Sequence, residues 1–263
     1  MEYGKERVMY KGYFQYQGKK IYYEEHGSGE TIILLHGNTV SGKFFTSVIP
    51  LMTEKYHVIT LDFLGCGQSD RSDMWPTDLW YEWSRQVVAL CNELGLSKVK
   101  LIGCSGGALV GINVALEKPE LVDCVVADSF EGLQANPELT EQIRMGRNIA
   151  KQNAEFCSML NAMHGEDWES VIDADTEAVV SHAKTIGQFF HKSLEELKVK
   201  MLLTGSNEDE MFPKDNYEKL FADICGRACM ARSHIFEHGG HPAMISNLEE
   251  FVSLCEGFFN RAN

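Results

Sequence analysis

Basic residues are scarce in this chain: 24 Lys and Arg stand against 38 Asp and Glu, and the formal net charge is −14. Binding to a phosphate backbone depends on clustered Lys and Arg that displace counterions, and no basic stripe is present. A nucleic-acid partner is therefore not expected. Long apolar runs are missing as well. No stretch approaches the roughly 18 apolar residues of a membrane span. The opening "MEYGKERVMY" carries acidic and aromatic residues where a secretory signal would need a basic start and an apolar run. The expectation is a cytoplasmic protein with no membrane partner. Cysteine is plentiful, at eight, but without the spacing of a disulfide framework. "VALCNEL", "LVDCVVA" and "VSLCEGF" keep it inside apolar segments, which suits reduced core thiols in a larger domain. Cys225 and Cys229 lack the histidines or second cysteine pair of a zinc pattern, so no metal and no cofactor is expected.

With 263 residues and 44% hydrophobic content, the chain can bury a full core, as one globular domain or one domain with an insertion. "RVMYKGYFQY" and "KKIYYEEHG" flank a Gln17-Gly18 turn and predict an antiparallel hairpin. Short continuous apolar runs follow: "TIILLHG", "YHVITLDF", "KVKLIGC", "LVDCVVADS" and "KVKMLLTGS". Strands buried on both faces have this character. Helical spacing lies between and after them, in "SGKFFTSVIPLMTE", "TDLWYEWSRQVVALCNELG", "GALVGINVALEKP", "NYEKLFADIC" and "NLEEFVSLCEGFFN". Alternation of this kind predicts an α/β fold with a mostly parallel, doubly wound sheet. From Phe130 to Leu194 the alternation stops, and an amphipathic helical sequence with Met and Phe on its apolar positions takes over. The division expected is a core over residues 1–129 and 195–263 with a helical cap over 130–194. The Met and Phe of that segment read first as ordinary helix packing.

"GCSGGA", residues 103–108, stands where the run "VKLI" hands over to a helix. A nucleophile at the C-terminal edge of a parallel sheet needs a sharp strand-to-helix turn with a strained backbone and small neighbours. Gly103 and Gly107 are such neighbours, which makes Ser105 the candidate nucleophile. Its hydroxyl needs a base, and the base an orienting carboxylate. His241, in "FEHGGHPAM", follows the last strand-like run and a Gly-Gly; its rival His238 reads as part of the strand end. For the acid, "SNEDEMFP" follows "KVKMLLTG" and offers Asp209, with Glu208 and then Asp128 behind it.

Together these residues resemble the α/β-hydrolase-fold serine hydrolases with a helical cap, over nearly the whole chain. "LLHGN" is similar to the family's His-Gly loop after the third strand, which implies an oxyanion hole formed by the backbone N–H groups of Asn38 and Gly106. "LDFLGCGQSD" is similar to a loop that is structural in the family, so Asp62, Gly65, Gly67 and Ser69 are not catalytic candidates. The family usually has its acid four residues before a proline, which selects Asp209 ahead of Pro213, although one extra residue separates it from Gly205. Haloalkane and epoxide relatives use an aspartate nucleophile, and Ser105 disfavours both. A proline-iminopeptidase reading is disfavoured by Gly106, where those relatives usually have Trp. The resemblance implies a cofactor-independent hydrolase of a small or medium acyl compound, most simply a carboxylic ester. Thioesters, lactones, amides and C–C bonds are served by the same apparatus. The alternative from another class is a small-ligand receptor that keeps the triad and turns over slowly, and ester turnover separates the two.

Overall fold

The expected hairpin forms as β1 (Val8–Tyr16) and β2 (Lys19–Gly27), joined by Gln17 and Gly18, both at positive φ. In this computed structural model, which describes residues 8–212 and 216–260, the apolar runs become β3 to β8. They are β3 (Glu30–Leu35), β4 (Tyr56–Leu61), β5 (Val99–Cys104), β6 (Val122–Asp128), β7 (Lys200–Ser206) and β8 (Ala231–Phe236). Among the described residues they build one eight-stranded sheet in the order β1-β2-β4-β3-β5-β6-β7-β8. The pairs from β4 through β8 are parallel, and those of β2 with β1 and β4 are antiparallel.

Alternate residues of the central strands serve two cores, because successive side chains point to opposite faces. Ile33, Leu35, Ile59, Leu61 and Leu101 share one core with Trp83, Val87 and Ile112. Those three come from α2 (Leu79–Glu93) and α3 (Gly106–Glu117). Ile32, Leu34, Val58 and Ile102 share the other with Phe251, Cys255 and Phe259. The opposite face is covered by α1 (Ile49–Met52) and, late in the chain, by α8 (Ala243–Ser246) and α9 (Leu248–Phe259). Both faces being apolar is why these strands read as unbroken runs.

"SGKFFTSVIPLMTE" departs from its expected continuous helix. It forms a 3-10 turn at Gly42–Phe45, then the four-residue α1. Pro50 lacks an N–H and would clash with the preceding turn of a continuous helix, so it is tolerated only where a helix restarts, and it stands in the first turn of α1.

The chain leaves the sheet after Asp128 and returns at Lys200. Between them run α4 (Pro137–Ala150), α5 (Ala154–His164) and α6 (Trp168–Thr185). Asn136 and Asn153 cap α4 and α5 by accepting from the backbone N–H groups of Glu138 and Phe156. Leu160, Trp168 and Ile172 pack α5 to α6. The guanidinium of Arg71, in the loop after β4, forks onto Asp167 with contacts of 2.7 and 2.9 Å and ties these helices to the sheet. A last helix, α7 (Asn216–Arg227), connects β7 to β8. No helix among the described residues is long and apolar enough to cross a membrane.

The sheet order reverses at β3, whose neighbours are β4 on one side and β5 on the other. In open α/β sheets the crevice for a ligand forms outside the C-terminal ends of the strands at such a switch point. Here it lies at the ends of β3 and β5, the strands that lead into Asn38 and Ser105.

Candidate active site

Ser105 sits between β5 and α3 with φ 53° and ψ −125°, a conformation disfavoured for any residue with a Cβ. Its N–H donates to Asp128 O at 2.8 Å, and its own carbonyl accepts from Ala108 N at 3.0 Å. The flanking glycines allow strand and helix to touch. A Cβ on Gly103 would lie 2.1 Å from Gly107 O, and one on Gly107 would lie 2.0 Å from Leu35 O. Cys104, the adjacent thiol, is buried, and burial pushes its pKa up, so it stays protonated and inert.

The three acids after β7 divide their work on the histidine loop. Asp209 Oδ2 accepts from His241 Nδ1 at 2.9 Å and from the Tyr217 hydroxyl at 2.7 Å, and Oδ1 accepts from Met211 N at 2.9 Å. Burial alone would raise the Asp209 carboxyl, but the hydrogen bond and charge of His241, with the Tyr217 and Met211 donors, outweigh it. They hold the carboxyl below its ordinary value. Glu208 instead accepts from Gly239 N at 3.1 Å and pairs with His238 at 3.3 Å on the exposed surface. Glu210 accepts from His241 N at 3.1 Å. The two rivals thus pair with each other, away from the cleft. His238 lies beyond the end of β8, not in the strand as its sequence suggested. Pro213, which marked Asp209 in the sequence, lies outside the described residues.

Asp128 is fully buried and braces the site from below. Its two oxygens accept from Thr204 Oγ1 at 2.7 Å and Met244 N at 3.0 Å, and burial pushes its pKa up to about 6. Asp62 is buried in the same way, accepts from Gly42 N and Gln68 N at 2.7 Å each, and is also raised by burial to about 6. Both act on the backbone of neighbouring loops.

Asn38 follows β3 across the crevice, and Gly106 is the first residue of α3, where a helix leaves its amide N–H groups without intrahelical partners. Ser105, His241, Asn38 and Gly37 line one cavity of about 490 Å³. Its outer wall is the stripe Leu139, Gln142, Ile143, Gly146, Arg147 and Ala150 of α4, helped by Phe156 of α5. Val40, Phe44 and Met211 make the rest of its surface largely apolar. No hydrogen bond joins Ser105 to His241 among the described residues, a contact that often tightens only with substrate present. A larger cavity, about 850 Å³, lies between α7 and the segments at 131–137 and 188–194 and holds none of these groups. Among the described residues no cluster of His, Cys, Asp and Glu is arranged to hold a metal ion.

The sequence reading missed Tyr217, which donates to Asp209, and three residues around Asn38: Asp175 and Trp80, which hydrogen-bond its side-chain amide, and Arg147, which pairs with Asp175. A charged residue on an amphipathic helix reads as solvated, yet Asp175 occupies the buried stripe of α6 with Val171, Ile172 and Val179, and that position was its one readable signal.

Residues 30–149 match the family model described as the alpha/beta hydrolase fold. The 2-hydroxy-6-oxo-6-phenylhexa-2,4-dienoate hydrolase of Comamonas testosteroni is 26% identical over 266 residues, covering 92% of this chain and 91% of that protein. The solved structure of a serine hydrolase involved in carbazole degradation (CarC enzyme) superposes with a TM-score of 0.75 at 21% identity, over 95% of this chain and 98% of that one. An esterase from Exiguobacterium antarcticum superposes with a TM-score of 0.72 at 18% identity, over 95% and 99% of the two chains. By the course of its sheet and by these superpositions, this chain has the α/β-hydrolase fold.

Proposed function

We propose that the chain is a cofactor-independent serine hydrolase acting on a small or medium acyl compound, most simply a carboxylic ester. Ser105 Oγ attacks the carbonyl carbon while His241 takes its proton. Asp209 holds the imidazole in the tautomer with its proton on Nδ1 and stabilises the imidazolium. The Asn38 and Gly106 N–H groups meet the oxyanion of the tetrahedral intermediate. The intermediate collapses to an acyl-Ser105 ester, and the alcohol leaves with the proton from His241. Water, deprotonated by His241, attacks that ester, releases the acid and returns Ser105 to its start. Residues 130–194 act as a cap over this chemistry. Eight unpaired thiols support a reducing, cytoplasmic setting.

The observation that carries this reading is the 2.9 Å His241–Asp209 contact on the wall of the cavity that Ser105 enters from its strained turn. A fluorophosphonate probe, followed by p-nitrophenyl esters of graded acyl length, tests it. Labelling at Ser105 with ester turnover is the expected result. A protein that binds such esters without turning them over would be the receptor alternative.

The Comamonas relative favours a second reading, in which the bond cleaved lies between carbons beside a ketone. Faster turnover of a 2-hydroxy-6-oxo-dienoate than of any ester in the series would select it.

A further inference from the structure

We propose that Asp175 is a positioning residue for the oxyanion site, holding from an inserted helix the loop that carries the Asn38 N–H. The inference rests on the hydrolase reading above and adds to it a role for the inserted helices in the chemical step. Asp175 is completely buried on α6. Its Oδ1 accepts from Arg147 Nη1 of α4 at 2.8 Å. Oδ2 is used on the loop, accepting from Asn38 Nδ2 at 2.9 Å and from Thr39 N at 3.2 Å. The other end of the Asn38 amide is held as well, since Trp80 Nε1 of α2 donates to Asn38 Oδ1 at 3.0 Å. The Asn38 side chain is thus held from both ends, and the Thr39 N–H ties the peptide that follows Asn38 to the same carboxylate oxygen.

Thr39 shows why the loop needs holding. It has φ 66°, a left-handed conformation that is strained for a β-branched residue and persists only where surrounding contacts enforce it. Both of its backbone groups are held from the inserted helices. Asp175 accepts from its N–H, and its carbonyl accepts from His164 Nε2 at 3.0 Å. The proton is on Nε2 because His164 Nδ1 accepts from Gly67 N at 2.9 Å. Burial lowers the His164 pKa and so preserves that neutral tautomer. Gly106 completes the arrangement, since a Cβ there would lie 2.2 Å from Asn38 Oδ1 and 2.6 Å from Trp80 Nε1. The Asn38 amide therefore packs across the second oxyanion donor, in space that only glycine leaves open.

A contact that orients the oxyanion donor acts on the transition state, where the negative charge develops, and not on ground-state binding. The test is Asp175→Leu, alone and combined with Arg147→Met so that no buried charge is left unpaired. Each is checked for folding by circular dichroism, then assayed for kcat and KM on a p-nitrophenyl ester and for inhibition by a trifluoromethyl ketone, whose adduct with serine carries an oxyanion. The expected result is a kcat lower by about 100-fold, the scale of a misplaced catalytic group. KM stays within a few fold, and the inhibition constant of the ketone rises in parallel with the loss in kcat. Adding Asn38→Ala to Asp175→Leu should lose little more, because both act through one loop. Unchanged kcat and ketone affinity in the folded double variant overturns the proposal, as does a loss confined to KM. Wild-type protein that neither labels at Ser105 nor turns over esters overturns the hydrolase reading and this inference with it; the variants overturn this inference alone.

Discussion

The Tyr217 hydroxyl donates to the same oxygen of Asp209 that receives the Nδ1 proton of His241, at 2.7 Å against 2.9 Å. Burial first, and then the Asp209 charge, raise the Tyr217 pKa, so the phenol keeps its proton and remains a donor. Neither Glu208 nor Asp128 has such a pairing with His241.

The three carboxylates should therefore separate cleanly by substitution. Asp209→Asn should lower kcat by about 10⁴-fold, because the amide favours the wrong imidazole tautomer and removes the compensating charge. Glu208→Gln, on the exposed surface, should leave turnover nearly unchanged. Asp128→Asn should reduce stability by about 1–3 kcal/mol, since replacing one carboxylate oxygen by NH₂ deprives either the Thr204 hydroxyl or the Met244 N–H of its acceptor. Steady-state kinetics with chemical denaturation on the three variants checks this, and a Glu208→Gln loss matching that of Asp209→Asn would move the acid by one position.

Ser105→Ala should abolish fluorophosphonate labelling and reduce ester turnover by several orders of magnitude, as loss of a triad nucleophile does. Cys104→Ala should retain most activity, because the thiol is buried and kept protonated. Mass mapping of the labelled peptide in both variants decides between them, and label retained in Ser105→Ala would sink the assignment.

Gly146 lies on the cavity-facing stripe of α4, and a Cβ there would meet nothing within 4 Å. Gly146→Leu should fill part of the cavity and shift the preference toward shorter acyl groups. The same change replaces a helix-interior glycine, so the helix should gain about 1 kcal/mol. A chain-length series read beside a thermal melt tests both effects, and an unaltered chain-length profile would show that α4 does not bound the substrate.

His36 accepts from Phe63 N through Nε2 at 3.1 Å, and complete burial lowers its pKa to about 3. Between that value and about 6.5, the unfolded chain binds a proton that the folded one refuses, so this contribution to stability falls as pH falls. Its size is roughly 2 kcal/mol lost between pH 7.5 and pH 5. Asp62 and Asp128 act in the opposite sense between their ordinary values and about 6, because there the folded state holds the protons. The His36 contribution is isolated by comparison with His36→Gln, whose amide oxygen still accepts from Phe63 N. Urea denaturation at the two pH values should show the advantage of wild type over the variant shrinking at pH 5. A constant difference would refute the assignment.

Much of the architecture was legible because its causes are local. The hairpin, the buried strands and the elbow at Ser105 follow from residues within a few positions of one another: apolar runs of strand length, a Gln17-Gly18 turn, and glycines beside the serine. The helices between β6 and β7 were foreshadowed for the same reason, by a break in alternation after "CVVADS". The broken helix at Gly42–Met52 is a local case misread, because Pro50 carried the stop signal inside an otherwise helical pattern.

What the sequence left open was which of several chemically similar groups meet. Glu208 and Asp209 are neighbours in "NEDEM", and successive residues of a loop point in different directions. Only the path of the chain between β7 and β8 turned one toward His238 in solvent and the other toward His241 under Tyr217. Asp175 is 137 residues from Asn38, and its reach to that loop depends on how α6 packs on the sheet. Strands and turns were set by neighbours in sequence; partners in the cleft were decided by tertiary packing, because hydrogen bonds between distant residues are specified by where elements come to rest, and no periodicity encodes that.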